Sequence, residues 1–231
     1  MKKLKSLFLY FSKFELFLWI FSAVSIIVSF IAFDRESYIT LIASLLGVTS
    51  LIFNAKGNPI GQALMILFSI LYGFISYSFS YYGEMITYLG MTAPMALFAL
   101  ISWLKNPYNG NIAEVKTNRL KLKEIIFMFF LSAIVTVLFY FILKAFDTSS
   151  LILSAFSVTT SFVAVYLTFR RNPFFALAYA SNDIILILLW SVATISNNSY
   201  ISVVICFVIF LINDLYGFYN WLKTQRRQSI K

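Results

Sequence analysis

Histidine is missing from this chain of 231 residues, and there is one cysteine. Without histidine there is no histidine proton relay, no histidine metal site and no Ser-His-Asp nucleophile. A lone cysteine cannot close an intrachain disulfide, so Cys206, inside an apolar run, reads as a small packing residue. Charge is also scarce, at 12% of residues, far below what the surface of a soluble domain this size requires. No stretch between apolar runs is long enough for a separate soluble domain, so the chain reads as a single membrane domain, 1–231.

Apolar side chains are abundant, 61% of residues, and 19% of residues are aromatic. Runs of about twenty apolar residues recur from end to end, the length an α-helix needs to cross ~30 Å of hydrocarbon. The chain is therefore an all-α integral membrane protein with eight expected spans: 15–33, 38–54, 59–80, 84–104, 124–143, 149–169, 173–195 and 200–222. The opening MKKLKS resembles a secretory signal. Its apolar stretch, however, runs into FDRES without a small-x-small cleavage site, and reads as a retained first span. Pro59 and Pro173 occupy first-turn positions, where a missing N–H costs a helix nothing. The one long loop, 105–123, holds a Pro/Asn/Gly turn followed by a basic run.

Of the 18 basic residues, only Arg35 and Lys144 fall in the loops on one side. This positive-inside bias places both termini in the cytoplasm. Anionic lipid headgroups at the inner surface suffice to explain the net charge of +9, with no nucleic acid required.

The spacing from Tyr82 to WLK (Trp103–Lys105) recurs from Tyr200 to WLK (Trp221–Lys223), and Asn58-Pro59 corresponds to Asn172-Pro173. Spans two to four (38–104) and six to eight (149–222) thus form two three-helix units joined by span five (124–143). The first span (15–33) is an addition, giving one extra helix plus a 3+1+3 bundle. An odd-numbered unit needs an extra crossing before its copy enters from the same face, so the repeats are parallel, as in sugar-transporting SWEET proteins.

Two Asn-Asp doublets interrupt this oil: Asn182-Asp183 and Asn213-Asp214. At 1.5 Å per residue both aspartates lie ~13–15 Å from the basic side. Each would cost ~2.5–3.5 kcal/mol or more facing lipid, so both should face protein or a water-filled cavity. Tyr179, Asp183 and Trp190 share one face of the seventh span; Asn213, Tyr216 and Asn220 share a face of the eighth. Gln62, Ser69, Tyr72, Gly73 and Ser76 make a polar stripe on the third span, and Glu84, Tyr88, Thr92 and Met95 one on the fourth. Ser157, Thr160, Ala164 and Thr168 read as a packing seam. Trp19, Trp103 and Trp221, near span ends, read as interfacial anchors. Carboxylates with aromatic walls suit a compact organic cation bearing hydroxyls. The substrate-binding set is Asp183, Asn182, Tyr179, Trp190, Asn213, Asp214, Tyr88, Tyr216 and Gln62, with no catalytic residue, metal or cofactor.

The segment RRNPFFALAYASNDIILILLW, followed by NDLYGFYNW and preceded by KGNPIGQ and YYGEMITYLGMTAP, resembles the PnuC family of bacterial nicotinamide riboside transporters over residues 38–223. That resemblance implies a SWEET-like duplicated fold, a homotrimer, a multi-pass protein of the bacterial inner membrane, and substrates that are pyridine ribosides or, in a related branch, thiamine. It further implies facilitated diffusion, with phosphorylation by a cytoplasmic riboside kinase trapping the product. The family's W-x-x-W-x-x-x-N pattern in the seventh span is replaced by Ala176, Tyr179 and Asp183. The change to aspartate adds a negative charge that favours a cation such as a pyridinium or thiazolium. Two other mechanisms use the same residues. Proton-coupled carriage would titrate Asp183 or Asp214. Intramembrane aspartyl proteolysis would pair them, but the second aspartate here follows LIN rather than G-x-G.

Overall fold

The computed structural model describes residues 10–78, 81–148 and 150–230. Lys2, Lys3, Lys5 and Lys231 lie outside these residues, as do the last two positions expected for the third span and the first of the sixth. Among the described residues, eight helices are long and apolar enough to cross a membrane. They are α1 (Lys13–Phe33), α2 (Tyr38–Ala55), α3 (Ile60–Ser78), α4 (Tyr82–Leu104), α5 (Leu122–Ala145), α6 (Leu151–Phe169), α7 (Phe174–Thr194) and α8 (Asn198–Ile230).

Local chemistry sets the boundaries. α1 opens with a capping box: Glu15 N donates to Ser12 Oγ at 3.2 Å and Ser12 N donates to the Glu15 carboxylate at 2.6 Å, so two orphan donors of the first turn are satisfied reciprocally. Two residues past the end of α2 stands Gly57, φ +67°, and two past the end of α6 stands Arg171, φ +57°, left-handed positions that reverse the chain. Each is followed by an Asn-Pro pair in which the asparagine Oδ1 accepts a hydrogen bond from the backbone two residues on. Those bonds are Ile60 N to Asn58 (3.0 Å) and Phe174 N to Asn172 (3.1 Å).

The long loop holds more than the turn expected of it. Pro107–Tyr108 and Asn111–Val115 pair as an antiparallel hairpin across Asn109 (φ +50°) and Gly110 (φ +77°), the left-handed pair a tight hairpin favours. Val115, 1% exposed, pins it to the bundle with Trp103 and Trp221. Val115 N donates to Gly57 O (2.9 Å), and Asn118 N, just past the hairpin, donates to Arg171 O (2.9 Å). One loop thereby ties down the equivalent turns of both units.

The units α2–α4 and α6–α8 also interlock by the same bond made twice. Trp103 Nε1, ending α4, donates to Thr168 O on α6 at 2.9 Å. Trp221 Nε1, on α8, donates to Asn54 O on α2 at 2.7 Å. Thr168 and Asn54 stand at the same distance before their Asn-Pro pairs. The two indole rings meet at 5.4 Å between centroids. This corrects the reading of Trp103 and Trp221 as interfacial anchors: they are 0% and 1% exposed and hold the halves together. Trp19 is 36% exposed and reaches Thr49 Oγ1 from α1 (3.1 Å). α5 presents Phe127, Phe129, Phe130 and Phe141 outward, as a linking helix bathed in lipid tails would.

Candidate functional site

Both Asn-Asp doublets are buried: Asn182 is 3% exposed, Asp183 4%, Asn213 2% and Asp214 5%. Three of the four line one small hollow between the units, together with Leu51, Met65, Phe68, Tyr88, Thr92, Ser161, Tyr179, Phe207 and Phe210. Met65 and Tyr179 stand equally far past their Asn-Pro pairs, and so do Phe68 and Asn182. The hollow thus sits where equivalent helix faces converge. Its walls are chemically unequal, because thioether and phenyl on one unit answer phenol and amide on the other.

On α7, Asn182 Oδ1 gathers three hydroxyls of α6: Thr160 Oγ1 at 2.9 Å, Ser161 Oγ at 3.0 Å and Ser157 Oγ at 3.3 Å. The small-residue face of α6 is therefore a packing seam that fixes this amide. The next residue, Asp183, projects into the hollow toward Asp214 of α8, and the two carboxyl groups lie within hydrogen-bonding reach of one another. Asp183 Oδ2 receives no hydrogen bond from a backbone, amide or hydroxyl donor among the described residues.

Tyr88 reaches the hollow from a π-helical stretch of α4, Thr87–Thr92. Pro94, two residues beyond that stretch, supplies no N–H to Gly90, and the wider turn there re-aims the side chains that precede it. Aromatic rings fill much of the space, with Tyr72 4.4 Å and Phe68 5.9 Å from Tyr88, and Phe210 5.5 Å from Phe68. The remaining volume is about 20 Å³, room for about one water. The sequence predicts a hollow sized for a metabolite; in this conformation rings occupy that space.

Four of the nine expected site residues lie elsewhere. Trp190 is wholly buried toward the end opposite the basic loops, 4.6 Å from Tyr81 and 5.4 Å from Tyr200 between ring centroids. There it belongs to an aromatic plug. Gln62 Nε2 donates to Asn54 Oδ1 at 2.8 Å, a bond between α2 and α3. Asn213 turns the other way from its neighbour Asp214: its Nδ2 donates to Ser22 Oγ of α1 (2.9 Å) and to Ile209 O (2.9 Å). Tyr216 Oη donates to Glu15 of α1 at 3.0 Å. The polar face of α8, Asn213–Tyr216–Asn220, is thus an attachment strip. Asn220 Nδ2 binds Ala55 O of α2 at 2.7 Å, and the other two hold the additional helix.

One carboxylate near the site was absent from the expected set. Glu84, in the first turn of α4, is 1% exposed and meets Ser157, the seryl hydroxyl that also serves Asn182. Its spacing to Tyr88 and Thr92 on one helix face is the signal that marks it; nearness to a span end concealed it. Its Oε2 has no partner among the described residues. On the opposite side of the hollow Phe175 stacks edge-on to Trp221 at 4.9 Å and lies 6.2 Å from Tyr179. Aromatic plugs therefore stand on both sides of the acidic pair. Among the described residues no group of three or more acidic or cysteine side chains could hold a metal ion, and the hollow has no lysine or arginine in its wall.

Comparison with known proteins identifies the family and the fold. The family model for "Nicotinamide mononucleotide transporter" matches residues 37–223. The nicotinamide riboside transporter PnuC of Neisseria mucosa is 29% identical over 217 residues, covering 91% of this chain and 82% of that protein. Its namesake in Haemophilus influenzae is 24% identical over 195 residues, 84% and 83% of the two chains. A crystal structure of the vitamin B3 transporter PnuC superimposes with a TM-score of 0.82 at 26% identity, covering 94% of each chain. The chain, a helical multi-pass membrane protein, belongs to the PnuC-type nicotinamide mononucleotide transporter family.

Proposed function

We propose that this protein carries nicotinamide riboside, a pyridinium nucleoside, across the bacterial inner membrane into the cytoplasm. The observation that supports it is the hollow between the units, where Asp183 and Asp214 meet Tyr88 and Tyr179. A positively charged flat ring has carboxylates to neutralise it and aromatic faces to stack on. The ribose hydroxyls find Thr92, Ser161 and Asn182.

The same walls discriminate within the family's own vocabulary. A mononucleotide carries a phosphate, and this hollow offers that phosphate carboxylates and no basic side chain. Phosphate sites are built from arginine, lysine or clustered N–H donors, so the unphosphorylated riboside is the better match. Thiamine, whose thiazolium is also a cation, is the alternative substrate on the same chemistry. The transporters among its relatives and the absent G-x-G-D motif favour a carrier over an aspartyl protease.

Movement follows alternating access, by rocking of α2–α4 against α6–α8. The plug at Trp190, Tyr81 and Tyr200 opens in one state and that at Phe175 and Trp221 in the other. Transport is downhill and draws on a cytoplasmic kinase that phosphorylates the product. Both termini are cytoplasmic, as the distribution of lysine and arginine supports, and the family resemblance implies a homotrimer in the lipid bilayer.

Calorimetric titration of the purified protein with nicotinamide riboside, thiamine and nicotinamide mononucleotide tests this. Saturable binding of the riboside, with the mononucleotide at least ~10-fold weaker, is the expected result. Failure of all three to bind a folded sample overturns the reading, and tighter binding of thiamine transfers it to that vitamin.

A further inference from the structure

The acidic pair is more than two independent negative charges. Asp183 approaches from α7 and Asp214 from α8, and their carboxyl groups meet inside the hollow. Every group lining the hollow around them is acidic, phenolic, thiol, hydroxyl, amide or apolar, and none is basic. From α4 come Tyr88 and, a layer beyond, Glu84; from α7 itself, Tyr179; from α8, Cys206. Leu51 of α2, Met65 and Phe68 of α3, Thr92 of α4, Ser161 of α6, and Phe207 and Phe210 of α8 fill the rest of the wall. Asn182 also lines the hollow; its Oδ1 accepts from three hydroxyls, and its amide brings no positive charge to the pair.

Two carboxyl groups in contact, screened from water and without a cation, hold a hydrogen bond only if one proton lies between them. Two full charges there would demand a dication, and none would give a cation no reason to enter. We propose that Asp183 and Asp214 act as one monovalent site, whose single shared proton leaves one negative charge to be neutralised by the substrate's ring cation. The loaded carrier then crosses the membrane uncharged, and the empty carrier returns bearing the charge. This rests on the riboside reading above and adds a selection rule and a charge-moving step to it.

Binding of nicotinamide riboside and of its reduced, uncharged dihydro form to the purified protein tests the selection rule. The wild type should prefer the cation by at least ~10-fold. Asp183→Asn and Asp214→Asn each leave one carboxylate and should weaken the cation by less than ~10-fold, preserving the preference. The double substitution should bring the two ligands within ~3-fold of each other, a non-additive double-mutant cycle. A preference that survives the double substitution, or that each single change abolishes, overturns the proposal.

A second measurement needs no variant. In liposomes under an imposed potassium diffusion potential, net uptake should rise by up to ~50-fold per 100 mV of inside-negative potential. One-for-one exchange of labelled for unlabelled riboside should not respond. Exchange that follows the potential as steeply as net uptake overturns the neutral loaded carrier. A wild type that binds both ligands equally refutes the pair's role alone; one that binds neither refutes the riboside reading and this one with it.

Discussion

Glu15 carries the attachment of α1, and the consequence of removing it can be worked from its contacts. The residue is 3% exposed. It accepts from Ser12 N at 2.6 Å, from Tyr216 Oη at 3.0 Å and from Lys56 Nζ at 3.1 Å. Glu15→Ala deletes half of the capping box, worth about 1 kcal/mol. It also strands a half-buried phenol and a partly covered ammonium. A hydrogen bond to a charged group contributes about 1.5–3 kcal/mol. Breaking a buried ion pair costs about 3–5 kcal/mol, reduced here because the Lys56 side chain keeps 21% of its exposure. These losses overlap at one carboxylate, so their joint effect is about 3–4 kcal/mol rather than their sum. At about 2–4 °C per kcal/mol for a chain of this size, the midpoint of thermal unfolding in detergent falls by about 6–16 °C. Glu15→Gln keeps the shape and one acceptor and should lose less than half as much. Because Glu15 lies outside the hollow, the riboside affinity of the surviving folded fraction should stay within ~3-fold. A Glu15→Ala midpoint within ~2 °C of wild type would refute the argument that this carboxylate fastens α1 to α2 and α8.

Two glycines should respond oppositely to an added methyl. At Gly61 a Cβ would fall 2.2 Å from Asn54 Oδ1 and 2.7 Å from Asn54 N, backbone that cannot step aside. Gly61→Ala therefore separates α2 from α3 and costs about 1–3 kcal/mol. At Gly217 the nearest atoms are 3.7 Å away, and Gly217→Ala should be neutral or stabilise by up to about 1 kcal/mol; thermal midpoints measured side by side check the pair. Trp103→Phe and Trp221→Phe each leave a buried carbonyl, Thr168 O or Asn54 O, without its indole donor. Each carbonyl keeps a turn bond, from Arg171 N at 3.0 Å or Gly57 N at 2.9 Å, so each change loses one net hydrogen bond, about 0.5–1.5 kcal/mol, with similar values because the two bonds are equivalent. A large loss for one and none for the other in the same unfolding assay would contradict the interlock.

Much of the architecture was legible without coordinates because burial in a bilayer is decided locally. Twenty consecutive apolar residues read as a helix there, since the other structure that satisfies its backbone in oil, a closed barrel, is built of shorter strands of alternating polarity. The eight spans appear within two residues of their expected ends, except that α8 runs on to Ile230. The hairpin at Pro107–Val115 escaped notice because it is short and polar and earns its place by docking Val115 beneath two tryptophans. The Trp103 and Trp221 indoles look from the sequence like headgroup anchors; being near a span end does not say whether the neighbour is lipid or another helix.

At the site the same division appears within single dipeptides. The sequence settled that Asp183 and Asp214 must be sheltered, because the penalty for a carboxylate in hydrocarbon does not depend on its neighbours. It could not settle what each polar residue faces. Adjacent helix positions diverge by ~100°, so Asp214 meets Asp183 while Asn213 clasps Ser22 on a helix nearly two hundred residues earlier. Gln62 and Tyr216 belong likewise to helix seams, and Glu84 to the wall beyond the hollow. Hydropathy fixes how deep a side chain sits in the membrane. Only the packing of eight helices fixes its direction, and the proximity of two carboxyl groups is a matter of direction.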